Sequence, residues 1–167
     1  DTYIENFQLA DDVEHLPGTR LKAALGGRLN YYLNEIFVAR TYYRYYLDDW
    51  GIRSHTASIE IPIKINSKFT VYPSYRFYNQ TAADHFAGYE QHLSTEKYYT
   101  SDYDLSGFQA NQYGLGISYT DVLTKRKLWN LQLKSIDLKF YYYERDSGFK
   151  ANMISFGIKF IPDTRSK

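Results

Sequence analysis

An antiparallel up-and-down transmembrane β-barrel is the fold class this sequence predicts, as one domain over residues 1–167 with at least seven strands, part of a larger barrel. Three observations carry the prediction. Apolar and polar residues alternate with a period of two over most of the chain, as strands with one apolar and one polar face require. Aromatic residues make up 19% of the composition, with nineteen tyrosines and ten phenylalanines, and tyrosine suits a boundary that is apolar on one side and wet on the other. No apolar run reaches the roughly 18 residues a membrane helix needs, so a membrane crossing here is made by strands.

Residues 1–20 show no sustained periodicity, and Asp11, Asp12 and Glu14 followed by Pro17-Gly18 read as a loop or upstream connection. In the first strand Leu21, Ala23, Leu25, Gly27, Leu29, Tyr31 and Leu33 alternate with Lys22, Ala24, Gly26, Arg28, Asn30 and Tyr32. Asn34-Glu35 turns into a second strand, Ile36 to Leu47, with Phe37, Ala39, Thr41, Tyr43, Tyr45 and Leu47 on its apolar side and Arg40, Tyr42, Arg44 and Asp48 opposite. After the loop DDWGIRSH, the third strand sets Ala57, Ile59, Ile61, Ile63 and Ile65 against Ser58, Glu60, Pro62 and Lys64. Asn66-Ser67-Lys68 leads to the fourth, where Phe69, Val71, Pro73, Tyr75 and Phe77 oppose Thr70, Tyr72, Ser74, Arg76 and Tyr78. Pro62 and Pro73 each remove a ladder hydrogen bond, so irregularity is expected at both.

A long polar connection, residues 79–97, is expected to project into solvent before a fifth strand that places Tyr103, Leu105, Tyr113, Leu115, Ile117 and Tyr119 on one face. Thr124 to Lys127 turns into a sixth strand whose apolar phase slips from Trp129, Leu131 and Leu133 to Ile136, Leu138, Phe140 and Tyr142, which predicts a bulge near Lys134-Ser135. After ERDSGFK the seventh strand sets Asn152, Ile154, Phe156, Ile158 and Phe160 against Ala151, Met153, Ser155, Gly157 and Lys159, and residues 161–167 form a tail.

Alternation by itself also fits a soluble lipocalin-like barrel, in which the apolar face lies inside. Three features favour the membrane. Turns after strands one, three and five are short and those after two, four and six longer, the asymmetry of outer-membrane barrels. Tyr42 to Tyr46, Tyr75 to Tyr78 and Phe140 to Tyr143 cluster at one height, while Tyr31, Phe37, Phe69, Tyr119, Trp129 and Phe160 lie near the other end, as two interfacial girdles would. The last strand closes on Phe160, like a C-terminal barrel-assembly signal. With residues 161–167 as a periplasmic tail, seven strands put residues 1–20 outside the cell. Single-chain bacterial barrels have an even strand count, so upstream strands are expected; the alternative is an eight-stranded barrel whose first strand lies in Thr2 to Leu9.

A net charge of +1, with twenty basic residues among nineteen acidic ones, gives no nucleic-acid surface. Cysteine is absent, which excludes disulfides, thiolate metal sites and c-type haem, and no cofactor is expected. Lys22, Arg28, Arg40, Arg44, Glu60, Lys64, Arg76, Asp137 and Lys139 are the expected lumen-lining residues, seven basic against two acidic, with Arg145 beside them. In a narrow barrel they form a packed polar core, and in a wide one an anion-preferring channel. Asp48, Asp49, Trp50, Arg53 and His55 make an extracellular loop cluster read as a rim ion-pair network, with a cation site as the competing reading. Asp84, His85, Glu90, His92 and Glu96 have metal-capable side chains at spacings that fit no standard site and read as a solvated loop. His55 and Ser58 are the one close His/Ser pair, and three residues apart on a strand they point to opposite faces, so no catalysis is expected.

The runs LPGTR, YRYYLDDWGIRSHT, YPSYRFYNQTAAD and SDYDLSGFQANQYGLGISY resemble the Gram-negative outer-membrane proteins grouped as domain of unknown function 3570, over residues 14–119. The resemblance implies an outer-membrane barrel longer than this chain, with a link to extracytoplasmic redox proteins. The expected function is a channel or structural component of a cell-envelope assembly in the bacterial outer membrane. Its partners would be outer-membrane lipid, lipopolysaccharide and an envelope protein complex. A soluble or surface lipocalin-like binding barrel is the alternative.

Overall fold

The computed structural model describes residues 13–32, 34, 37–120, 127–128 and 131–162. Within them the chain is a single antiparallel sheet of nine strands: β1 (Lys22–Tyr32), β2 (Val38–Asp48), β3 (Arg53–Glu60), β4 (Ile63–Lys64), β5 (Phe69–Gln80), β6 (Phe108–Thr120), β7 (Lys127–Leu128), β8 (Leu131–Arg145) and β9 (Lys150–Pro162). Strands β4 and β7 have two residues each. The seven long strands follow the seven predicted alternating runs, and each pairs with the next in up-and-down order. The alternative extra strand over Thr2 to Leu9, the turns at Glu35 and at residues 124–126, Trp129 and most of the tail lie outside the described residues.

The sheet does not close into a barrel. β1 pairs only with β2, and β9 only with β8, so each leaves one backbone edge unpaired among the described residues. Every residue of β1 is exposed, because it has neither a second neighbour nor an opposite wall.

Pro62 and Pro73 explain why the third run is split. Glu60 pairs with Ser74 and Ile63 with Val71, so the register continues unbroken across the gap. Ile61 N–H still donates to Pro73 O, but Pro73 has no N–H to return the bond and Pro62 none to continue it. β5 runs straight through Pro73, so only the β3 side is interrupted. The register slip between Leu133 and Ser135 is the predicted bulge, and it restores Ile136, Leu138 and Phe140 to the face of Leu131 and Leu133.

Registers align the faces across all seven long strands. One face carries Leu25, Tyr43, Ile59, Tyr75, Leu115, Phe140 and Ile154; the other carries Arg28, Tyr42, Ser58, Arg76, Gln112 and Tyr143. Burial runs opposite to that of a water-soluble sheet. Leu115 is 59% exposed and Phe156 63%, while Ser54, Thr56 and Ser118 on the polar face are 2%, 1% and 4% exposed.

The polar face is the concave one. Lys139 of β8 reaches within 3.6 Å of Glu60 of β3, three strands away. On a flat sheet those backbones lie about 14 Å apart, too far for side chains standing out of the sheet to meet. Glycines on β6 make the curl possible. A Cβ at Gly116 would press on the Lys139 stem at 3.0 Å, and one at Gly114 would strike Ser74 Oγ and the Tyr141 ring. Those side chains lie down across the glycines and fill the narrowed inner side.

Three expectations are corrected by this geometry. Tyr103 and Leu105 belong to a short 3-10 turn, not to the fifth strand, which begins at Phe108. Strand β3 begins at Arg53, so the β2–β3 connection is only residues 49–52 and the β8–β9 connection only 146–149; among the described residues, 81–107 is the one long loop between strands. The tyrosine runs split between faces. Tyr43, Tyr45, Tyr75 and Tyr142 share the apolar face, whereas Tyr42, Tyr46, Tyr78 and Tyr141 lie on the polar one, because neighbouring residues of a run alternate.

Candidate functional site

The polar face is the candidate site. Lys22, Arg28, Arg40, Arg44, Glu60, Lys64, Arg76, Asp137 and Lys139 all fall on it by register, with Arg145 at its upper end. Arg40 Nη1 donates to Glu60 Oε1 at 3.0 Å while Lys139 approaches Oε2, so the one carboxylate in mid-face is shared by two cations. Lys139 Nζ also sits 5.4 Å from the Tyr72 ring and the Arg28 guanidinium 5.4 Å from that of Tyr42, contacts in which a ring face attracts a cation. Arg145 stacks 4.2 Å over Phe108 and pairs with Asp104 at 2.8 Å.

The rim at the long-loop end is organised by Asp48, whose side chain is buried completely. Its Oδ2 accepts from Arg20 Nε and Nη2 and from the Tyr46 hydroxyl; its Oδ1 accepts from the Trp50 and Ile52 amides at 3.1 and 3.0 Å. Those five donors use the carboxylate fully, leaving no lone pair for a cation. Asp49 accepts from Leu21 N, Trp50 Nε1 donates to Thr19 O, and Arg20 lies 4.4 Å over the Trp50 ring. Arg20 was not visible as a partner in the sequence because it stands 28 residues from Asp48. Arg53 and His55 do not join this network. Both face the apolar side, where His55 Nδ1 and the Tyr43 hydroxyl are 2.7 Å apart.

The loop of residues 81–107 is not a solvated projection. Ala83 donates to Leu105 O, Asp84 N to Trp50 O, and Gln80 Nε2 to Asp104 O and Ser106 O, which straps the loop onto the rim. Gly51 in the facing turn has φ +86°, and a Cβ there would collide with Asp84, so glycine serves both the turn and the close approach. His92 and Thr100 are 5% and 0% exposed. Both His92 ring nitrogens face acceptors, Nδ1 the Glu96 carboxylate at 2.6 Å and Nε2 the Thr100 carbonyl at 2.8 Å. Burial pulls the imidazole pKa down, but these two acceptors, with Glu14 nearby, hold it above its ordinary value. Thr100 also donates to Glu14, and His15 bridges Tyr99, so residues 13–20 are bound into the same structure.

Among the described residues no group of three His, Asp or Glu side chains is placed to hold a metal ion. His55 lies on the apolar face and Ser58 on the polar face, so they form no catalytic pair. No helix among the described residues is long and apolar enough to cross a membrane. Comparison with known families matches residues 4–166, nearly the whole chain, to the family described as Protein of unknown function (DUF3570). No curated protein and no solved structure matches the chain.

Proposed function

We propose that this chain, which belongs to the DUF3570 family, forms the wall of an outer-membrane β-barrel that serves as a channel or structural member of an envelope assembly. The observation that carries the proposal is the inverted burial: apolar residues exposed on the convex face, polar and charged residues gathered on the concave one. Lipid is a good solvent for the first and water for the second. The convex face is layered as well. Tyr43, Tyr75 and Tyr142 point hydroxyls to His55, Asn111 and Glu144 at the long-loop end, then Leu115, Ile117, Leu138 and Phe156 follow, then Phe69 and Tyr119 stack at 5.2 Å. Aromatics at the two edges of an apolar band suit the two headgroup layers. The unpaired edges of β1 and β9 are completed by further strand pairing, since an open edge in hydrocarbon leaves its backbone groups unsatisfied.

The experiment is purification with and without detergent, followed by electrophoresis of boiled and unboiled samples. A detergent-requiring protein with heat-modifiable migration is expected. A monomer that stays soluble without detergent overturns the proposal and favours the soluble binding barrel.

A further inference from the structure

We infer that the concave face holds an oxyanion-binding site centred on Arg44 and Arg76, with the Thr56 and Ser58 hydroxyls between them, suited to the phosphate or carboxylate group of a small solute. Arg44 is directly across from Thr56, and Arg76 directly across from Ser58. Cross-strand neighbours of this kind are about 5 Å apart at Cβ, so the two arginines flank two hydroxyls on the strand between them.

Two buried side-chain atoms among the described residues lack a hydrogen-bond partner, and they are Arg44 Nε and Thr56 Oγ1. They belong to cross-strand neighbours in the same register row. A buried guanidinium N–H and a buried hydroxyl left unsatisfied side by side are unfavourable, and an anion oxygen accepts from both. The charge balance agrees. Glu60 is shared by Arg40 and Lys139, and no carboxylate among the described residues pairs with Arg28, Arg44 or Arg76. An open cleft of about 580 Å³ is lined by Arg28, Ser58, Arg76 and Gln112, with the Arg40-paired Glu60 at its wall, and is large enough for a phosphorylated or dicarboxylic solute; Arg44 and Thr56 stand beside it, across the strands from its lining. Guanidinium forks beside hydroxyl donors match the acceptor oxygens of such groups.

The site names a solute class for the proposed channel and rests on that reading only for its route of access. The test is titration of inorganic phosphate into the full chain in detergent micelles at constant ionic strength, with chloride and succinate as separate arms. Saturable phosphate binding that chloride does not displace is expected, weakened at least tenfold by Arg44→Gln and by Arg76→Gln and unchanged by Arg53→Gln on the opposite face. Succinate bound as tightly, and lost in the same variants, supports the site with a carboxylate solute. Phosphate binding no stronger than chloride, or unaffected by the folded variants, overturns it. Should Arg44→Gln not fold, Arg76→Gln decides, because Arg76 is exposed. A chain that binds phosphate yet is soluble without detergent overturns the membrane reading alone, and a heat-modifiable chain that binds none overturns this site alone.

Discussion

Replacing Leu138 with arginine separates a lipid-facing convex surface from a water-facing one. Leu138 is 48% exposed on β8, across from Phe156 on β9 and Ile117 on β6. Tyr142 lies four residues towards the long-loop end, and Phe160 lies four residues beyond Phe156 in the other direction. Four residues of strand are about 14 Å, and a tilt near 40° leaves about 10 Å of depth on each side. Leu138 therefore falls near the middle of an apolar band about 25 Å tall, where an arginine costs about 2–4 kcal/mol. That is about 30- to 900-fold in the folded-to-unfolded ratio. On a surface facing water the same change costs about 0.5 kcal/mol or less. Asn152→Arg, at the aromatic edge of the band, is expected to cost about 0–1 kcal/mol. Equilibrium denaturant unfolding from phospholipid vesicles measures the unsubstituted chain and both variants. Equal and small effects at Leu138 and Asn152 would refute the lipid-facing assignment.

Asp48→Asn removes the charge that five donors converge on, and a loss of about 3 kcal/mol is expected, read as a lower unfolding midpoint with faster proteolysis near Arg20. Gly114→Val drives a side chain into Ser74 and the Tyr141 ring and is expected to cost about 1–3 kcal/mol by the same unfolding assay, while Gly157→Ala, whose nearest neighbour is Asp137 Cβ at 3.8 Å, is expected to be near neutral. The His92 pKa is raised in the folded loop, so its stabilisation is fully present below the ordinary value of 6.5 and is lost as pH rises through the folded value. Amide hydrogen exchange at residues 92–100, corrected for intrinsic rates, is expected to show falling protection across that range in the native chain and a flat profile in His92→Phe.

The two arginine-lined hydroxyls show how much of the site was legible beforehand. Arg44 and Arg76 were readable as one face because each follows the period-two pattern of its own run. That Thr56 and Ser58 would stand directly across from them was not readable, since this adjacency depends on two turns and a register. The rim is an ion-pair network as expected, but its partners were legible only in part, for a related reason. Asp48 looked like one member of a charged loop, yet its partner Arg20 precedes a whole strand, and the loop over it packs through contacts from residues 14, 50, 92 and 100.

What the amino-acid order determined by itself was the set of seven alternating runs, the faces within each run and the bulge at Lys134, because side-chain direction along a strand repeats every two residues and needs no distant contact. Which face turns inward is not a local property. It was decided by the curl of the sheet, visible where Lys139 crosses Gly116 to meet Glu60 from three strands away. The open edges at β1 and β9 are likewise set by pairing between strands, which period-two alternation leaves undetermined.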